Sequence, residues 1–311
     1  MSSEIFKPIE IKINDDALHN KKVFGKVETF YYDAIFSNNY SIVALTNIFH
    51  LGKLGIILTG MFIYKDAKLI KSDRRRIPLR YLSSSLERPY IKLKDYKLID
   101  GFIDEDTNEW KYHIFMGDKE QGFDINLEKQ TKPWMGKTYL GNWLVIPRFK
   151  INGKIYIDKK TIDVSGEGYH DHNIYPIYSP LTNKGYFFGK IPVDKYTITW
   201  ANVKKIRKKE QTIVVLNIND KFISFDPGEI KFEVESYIES QGKKIPESLT
   251  IKIDHEPYYL DVNIKSIDFH YLKIPSVNYW RHHVKNSGEL KINSKSYKID
   301  NLEIVEYLKF F

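Results

Sequence analysis

Apolar and polar side chains alternate along most of this chain, and that period of two constrains its fold more than any other feature. Segments 28–36, 40–49, 55–64, 109–116, 122–127, 142–149, 186–191 and 196–203 all show it. So do 211–216, 231–238, 249–253 and 258–267. Successive side chains of a strand point to opposite faces, so these runs read as half-buried strands. Turn signals punctuate them: Ser37-Asn38-Asn39, Asn152-Gly153, Asn183-Lys184-Gly185, Asp226-Pro227-Gly228 and Asn286-Ser287-Gly288. No segment sustains a helical period for more than a turn or two, and 66–86 reads as a long loop or a short helix. Strands at this spacing predict an all-β sandwich or barrel.

A length of 311 residues exceeds what one hydrophobic core usually fills, and 42% apolar residues suffice for two. A faint repeat supports two copies of one β unit. Lys150-Ile151-Asn152-Gly153-Lys154, Tyr156 and Glu167-Gly168-Tyr169 are echoed by Lys291-Ile292-Asn293-Ser294-Lys295, Tyr297 and Glu306-Tyr307. The basic run Lys204-Lys205-Ile206-Arg207-Lys208-Lys209 lies between the copies and marks the expected boundary. The expected organisation is an N-terminal segment 1–22, a first barrel 23–203 and a smaller barrel 204–311. Closed antiparallel barrels remove exposed strand edges, and an eight-stranded one has room for a small ligand.

The densest chemistry lies in Gly168-Tyr169-His170-Asp171-His172-Asn173, which holds two of the nine histidines. On a strand, His170 and His172 share one face, and Asp171 and Asn173 the other. Such a ribbon can bind metal, move a proton or hold a buried network. The His-x-His pair has no further ligand at a spacing that zinc requires, so no metal and no cofactor is expected. Cysteine is absent, which removes disulfides, thiolate metal sites and a cysteine nucleophile. The net charge of +8 is spread along the chain without a recognition-helix or RNA-binding motif, so nucleic acid is not an expected partner. Contact with an anionic membrane surface is the secondary expectation for that charge. The first 22 residues carry no apolar run of signal-peptide length, and no run approaches a membrane span. The expected location is therefore the cytoplasm, with membrane association as an addition.

These residues also carry a family resemblance. Gly168 to Asn173 resembles the GYHDHN signature of the carotenoid 1,2-hydratase (hydroxyneurosporene synthase) and AttH-like family. Glu28-Thr29-Phe30-Tyr31-Tyr32-Asp33-Ala34 is similar to its opening strand, and Phe188-Gly189-Lys190 with Asp194 to Trp200 to a later strand pair. Tyr279-Trp280-Arg281 and Glu306-Tyr307 resemble its closing pattern. The resemblance runs from about Val27 to Leu308 and implies two tandem lipocalin-like barrels.

It also implies an apolar, isoprenoid or lipid-like ligand and hydro-lyase chemistry, the addition of water to a terminal C=C bond. That reaction needs an acid, stabilisation of a tertiary cation and a base. A buried carboxylic acid can serve because desolvation raises its pKa. Asp171 is the candidate acid, with His170 or His172 orienting it or acting as base, and Asn173 completing the set. Tyr169, Phe187, Phe188, Lys190 and Tyr196 are the candidate ligand-binding residues, the four aromatic ones facing the cation. The alternative is a non-catalytic lipid or isoprenoid carrier in which the HDHN strand is structural, since buried polar groups must be hydrogen-bonded.

Overall fold

The computed structural model describes residues 6–19, 24–94, 96–218, 220–274 and 277–310. Among them, strands fall into two antiparallel sheets. The first contains β1 (Ile9–Glu10), β2 (Lys26–Phe36), β3 (Tyr40–His50), β4 (Ile56–Lys65), β5 (Lys68–Pro78), β6 (Leu82–Ser84) and β7 (Tyr90–Leu93). It continues through β8 (Tyr96–Ile103), β9 (Trp110–Gly117), β10 (Gln121–Lys129), β11 (Trp134–Lys137), β12 (Asn142–Ile157) and β13 (Lys160–Pro176). The second contains β14 (Asn183–Val193), β15 (Tyr196–Lys205), β16 (Gln211–Ile218), β17 (Lys221–Ser224) and β18 (Ile230–Ser240). It ends with β19 (Lys243–His255), β20 (Tyr258–Ile274), β21 (Val277–Ile292) and β22 (Lys295–Phe310).

The all-β expectation holds, and the first sheet curls into a nearly closed barrel. Its strand order is β5-β4-β3-β2-β13-β12-β10-β9-β8-β7-β6, with β1 and β11 added beside β12. The second sheet runs β17-β16-β15-β14-β22-β21-β20-β19-β18. In each the first long strand pairs with the last, β2 with β13 and β14 with β22, so both sheets repeat one topology. Each encloses its own core. Phe30, Tyr32, Ile42, Ile114, Phe123 and Phe149 belong to the first; Phe187, Trp200, Val214, Ile251 and Val305 belong to the second. Among the described residues no helix is long and apolar enough to cross a membrane.

Three sequence expectations need correction. The first compact unit comprises Ile9–Gly136 and Gly141–Tyr178, so it ends at Tyr178 and not at 203, because β14 and β15 pair within the second sheet. The basic run is a local turn instead: Lys204 Nζ pairs with Glu210 at 3.0 Å, and Lys205 and Lys208 lie over the Tyr139 ring. Segment 66–86 holds one short helical turn, the 3-10 helix Leu79–Tyr81, but is chiefly β5, whose charged side chains hid its pairing with β4.

The third concerns turns. Asn152-Gly153 and Asn286-Ser287-Gly288 lie inside β12 and β21. A Cβ on Gly153 would meet the Asp124 carbonyl oxygen at 2.2 Å, and one on Gly288 the Asp261 oxygen at 2.1 Å. These glycines permit close backbone approach in long, bent strands. The hairpin turns themselves are Asp158-Lys159 and Asn293-Ser294. The repeat is real, but its structural register is shifted from the sequence echo.

Candidate functional site

Strand β13 lies centrally in the first sheet, between β12 and β2. His170 pairs with Tyr32 and Ile146, and His172 with Phe30 and Leu144. Those four neighbours belong to the first core, so both imidazoles face inward. They stack on aromatic partners, Tyr32 on His170 at 4.0 Å and Phe30 on His172 at 3.9 Å between ring centroids. Burial of two polar rings in such a core requires partners for every nitrogen.

Two carboxylates and the Tyr31 carbonyl serve the two rings. Asp16, delivered by a 3-10 turn at Ile13–Asp16, is fully buried. Its oxygens each lie 3.0 Å from His170 Nε2, and Tyr112 OH donates to it at 2.7 Å. His170 Nδ1 lies 2.8 Å from the Tyr31 carbonyl oxygen. His172 bridges two acids, with Nδ1 3.3 Å from Asp16 and Nε2 3.1 Å from Glu28. Glu28 also meets His50 Nε2 at 3.1 Å, Lys26 Nζ at 2.9 Å and His19 Nδ1 at 3.2 Å. Burial would raise the Asp16 pKa, but His170 and His172 outweigh it and hold the carboxyl well below the usual range. Glu28 is likewise held low against burial by His172, His19 and His50. Burial pushes His172 down, yet its two carboxylate partners hold it up at about 9.

Asp171 lies on the opposite face with Tyr169 and Asn173. Trp143 Nε1 donates to its carboxyl at 3.2 Å, Tyr169 OH at 3.0 Å and Asn173 Nδ2 at 2.7 Å. Tyr31 OH donates to neighbouring Asp33 at 3.0 Å. Burial pushes Asp171 up to about 7; His170, Trp143 and Tyr169 pull it down, and the Asp33 charge adds to the rise. Three donors therefore address a carboxyl whose charged form burial resists.

The sequence motif thus divides between two faces. Tyr169, Asp171 and Asn173 come together on one face with Trp143, while His170 and His172 hold Asp16 and Glu28 on the other. The other expected ligand residues belong to the second unit. There Phe187 faces the core, whereas Phe188 and Lys190 alternate onto the other face of β14, with Lys190 Nζ 2.7 Å from Glu303. Tyr196 OH lies 3.2 Å from Tyr297 OH. Asp16, Glu28, His50, Tyr112 and Trp143 were missed. Glu28 alone left a signal, a charge at an inward position of the strand carrying Phe30 and Tyr32.

His19, Glu28 and His172 offer ligand atoms within 4.8 Å of one another. These groups are already engaged with one another: Lys26 Nζ lies 2.9 Å from Glu28 Oε1, and His172 bridges Asp16 and Glu28.

No family model matches the sequence, and no curated protein is detectably similar to it. Solved structures are. A Nitrosomonas europaea protein assigned as AttH superposes with a TM-score of 0.73 at 14% identity, covering 96% of both chains. Kievitone hydratase from Nectria haematococca gives 0.61 at 12% identity, over 99% of this chain and 97% of its own. CghA, solved with Sch210972, gives 0.62 at 9% identity over 99% of each. These likenesses show the fold alone: the chain shares the all-β architecture of two lipocalin-like antiparallel units seen in those structures.

Proposed function

We propose that the protein binds an apolar, isoprenoid or lipid-like molecule and adds water to a terminal C=C bond, with Asp171 as the acid. The observation that carries this reading is the Asp171 carboxyl, buried among aromatic side chains and addressed by three donors of its own face. Asp171 gives its proton to the less substituted alkene carbon, the π pair forming the new C–H bond. The tertiary cation faces the π clouds of Tyr169, Tyr31 and Trp143. Water then forms the C–O bond, and its surplus proton returns to the Asp171 carboxylate, so the cycle closes without a co-reactant. Trp143, Tyr169 and Asn173 stabilise the transient carboxylate. The hydratase name of one structural neighbour agrees with this chemistry. The proposed location is the cytoplasm, with the +8 charge supporting contact with an anionic membrane from which such a ligand is drawn.

A specific observation favours a second reading. The motif histidines hold Asp16 and Glu28, which is what a carrier with a structural HDHN strand needs. Incubation with an acyclic carotenoid bearing an isopropylidene end separates the two. Hydration predicts a product heavier by one water, and a loss of at least about 100-fold in rate for a folded Asp171→Asn. Binding without product in the wild type supports the carrier.

A further inference from the structure

The second barrel contains a group of unpaired polar atoms that the hydration chemistry does not use. Trp200, Asn202 and His282 are at most 1% exposed. Trp200 Nε1, Asn202 Oδ1 and His282 Nε2 have no hydrogen-bond partner. The remaining polar atoms of the latter two are fixed: Asn202 Nδ2 donates to Thr212 Oγ1 at 3.1 Å, and His282 Nδ1 lies 2.9 Å from Ser266 Oγ. Each side chain therefore presents one unpaired atom in a set orientation. Buried polar atoms without partners are rare in native proteins, and three in one neighbourhood require an explanation.

Phe187 ties them together. It stands directly opposite Asn202 in the pairing of β14 with β15. Its ring lies edge-on to Trp200 at 5.2 Å and 6.5 Å from His282. Tyr307 packs on Phe187 at 5.4 Å, and Phe232 on Trp200 at 5.7 Å. The indole is seated on Gly189, where a Cβ would come within 2.7 Å of it. Trp200 and Asn202 are two residues apart on one face of β15, so their Cβ atoms are roughly 7 Å apart. A hydroxyl suits the pair because it accepts from an indole N–H and donates to an amide oxygen at once.

We infer that this part of the second barrel binds a planar aromatic molecule carrying a hydroxyl group. The hydroxyl oxygen accepts from Trp200 Nε1–H and its proton goes to Asn202 Oδ1. The ring lies among Phe187, Phe232 and Tyr307, and His282 Nε2 faces a second polar substituent. Flat rings favour edge and offset contacts of this kind. These residues belong to the second unit and Asp171 to the first, and the inference stands whether or not Asp171 is an acid.

The full chain with 15N-labelled indoles, titrated with 2-naphthol, tests this, Trp200→Phe assigning the Trp200 signal. The expected result is a saturable shift of the Trp200 indole N–H resonance, with naphthalene binding at least tenfold more weakly for want of the hydroxyl. Asn202→Leu weakens 2-naphthol at least tenfold, while Asp171→Asn binds it as the wild type does. An unmoved Trp200 resonance, or equal affinity for naphthalene and 2-naphthol in the wild type, overturns the proposal without reliance on any variant's folding.

Discussion

Asp171 and His172 are adjacent, yet burial and partners drive their protonation differently. His172 gains two carboxylate partners and is held up from 6.5 to about 9; Asp171 gains burial and is held up from 3.8 to about 7. Both are raised pKa values, so the stability each contributes is full below its unfolded pKa and lost as pH rises through its folded one. Asp16 and Glu28 act in the opposite sense: their lowered pKa values give stability above the unfolded carboxylate range that is lost as pH falls. The first barrel is therefore most stable in mildly acidic solution and weakens towards about pH 9. Asp171→Asn removes its own share of that decline, so its stability relative to the wild type should rise by roughly 4 kcal/mol between about pH 3 and about pH 8. Urea denaturation across pH checks this; parallel curves for the two proteins would contradict it. The split of the motif between two faces was legible in the sequence, since it follows from the strand period. Asp16, Trp143 and Tyr112 were not, because they reach the motif from distant segments and only the closed barrel brings them there.

At the scale of the element, β12 and β21 show how a turn signal can mislead. Asn-Gly and Ser-Gly favour turns locally, but here the glycine serves close approach to a neighbouring strand in a long hairpin. Gly153→Ala must move the Asp124 carbonyl or bend β12 and should cost about 2–4 kcal/mol, read as a lowered midpoint in denaturant. A loss within about 0.5 kcal/mol would mean that the strand is a tolerant turn after all. Strand β5 failed to show in the sequence for the reverse reason. Its pattern is mostly exposed, and what identifies it is its antiparallel register with β4. The 3-10 turn carrying Asp16 belongs with these cases, being too short for periodicity to reveal.

Across the whole molecule, two sheets of the same topology enclose two separate cores. The sequence repeat pointed to this duplication and to the fold class, though not to its register or to the crossing between units at Tyr178. The basic run misplaced that crossing because a charged turn inside a sheet looks like a linker when only composition is read. Phe149 is fully buried in the first core, so Phe149→Ala should cost about 3–5 kcal/mol. Amide exchange should show the larger loss of protection in the first sheet; an equal loss in the second would contradict the separation of the cores. The account as a whole turns on whether Asp171 is kept as a neutral acid near physiological pH. The infrared difference between wild type and Asp171→Asn across a pH series measures this directly. A protonated-carboxyl C=O band that disappears with a midpoint at about 7 is the result predicted. A band already lost at about pH 4, the ordinary range of an aspartate, would contradict it.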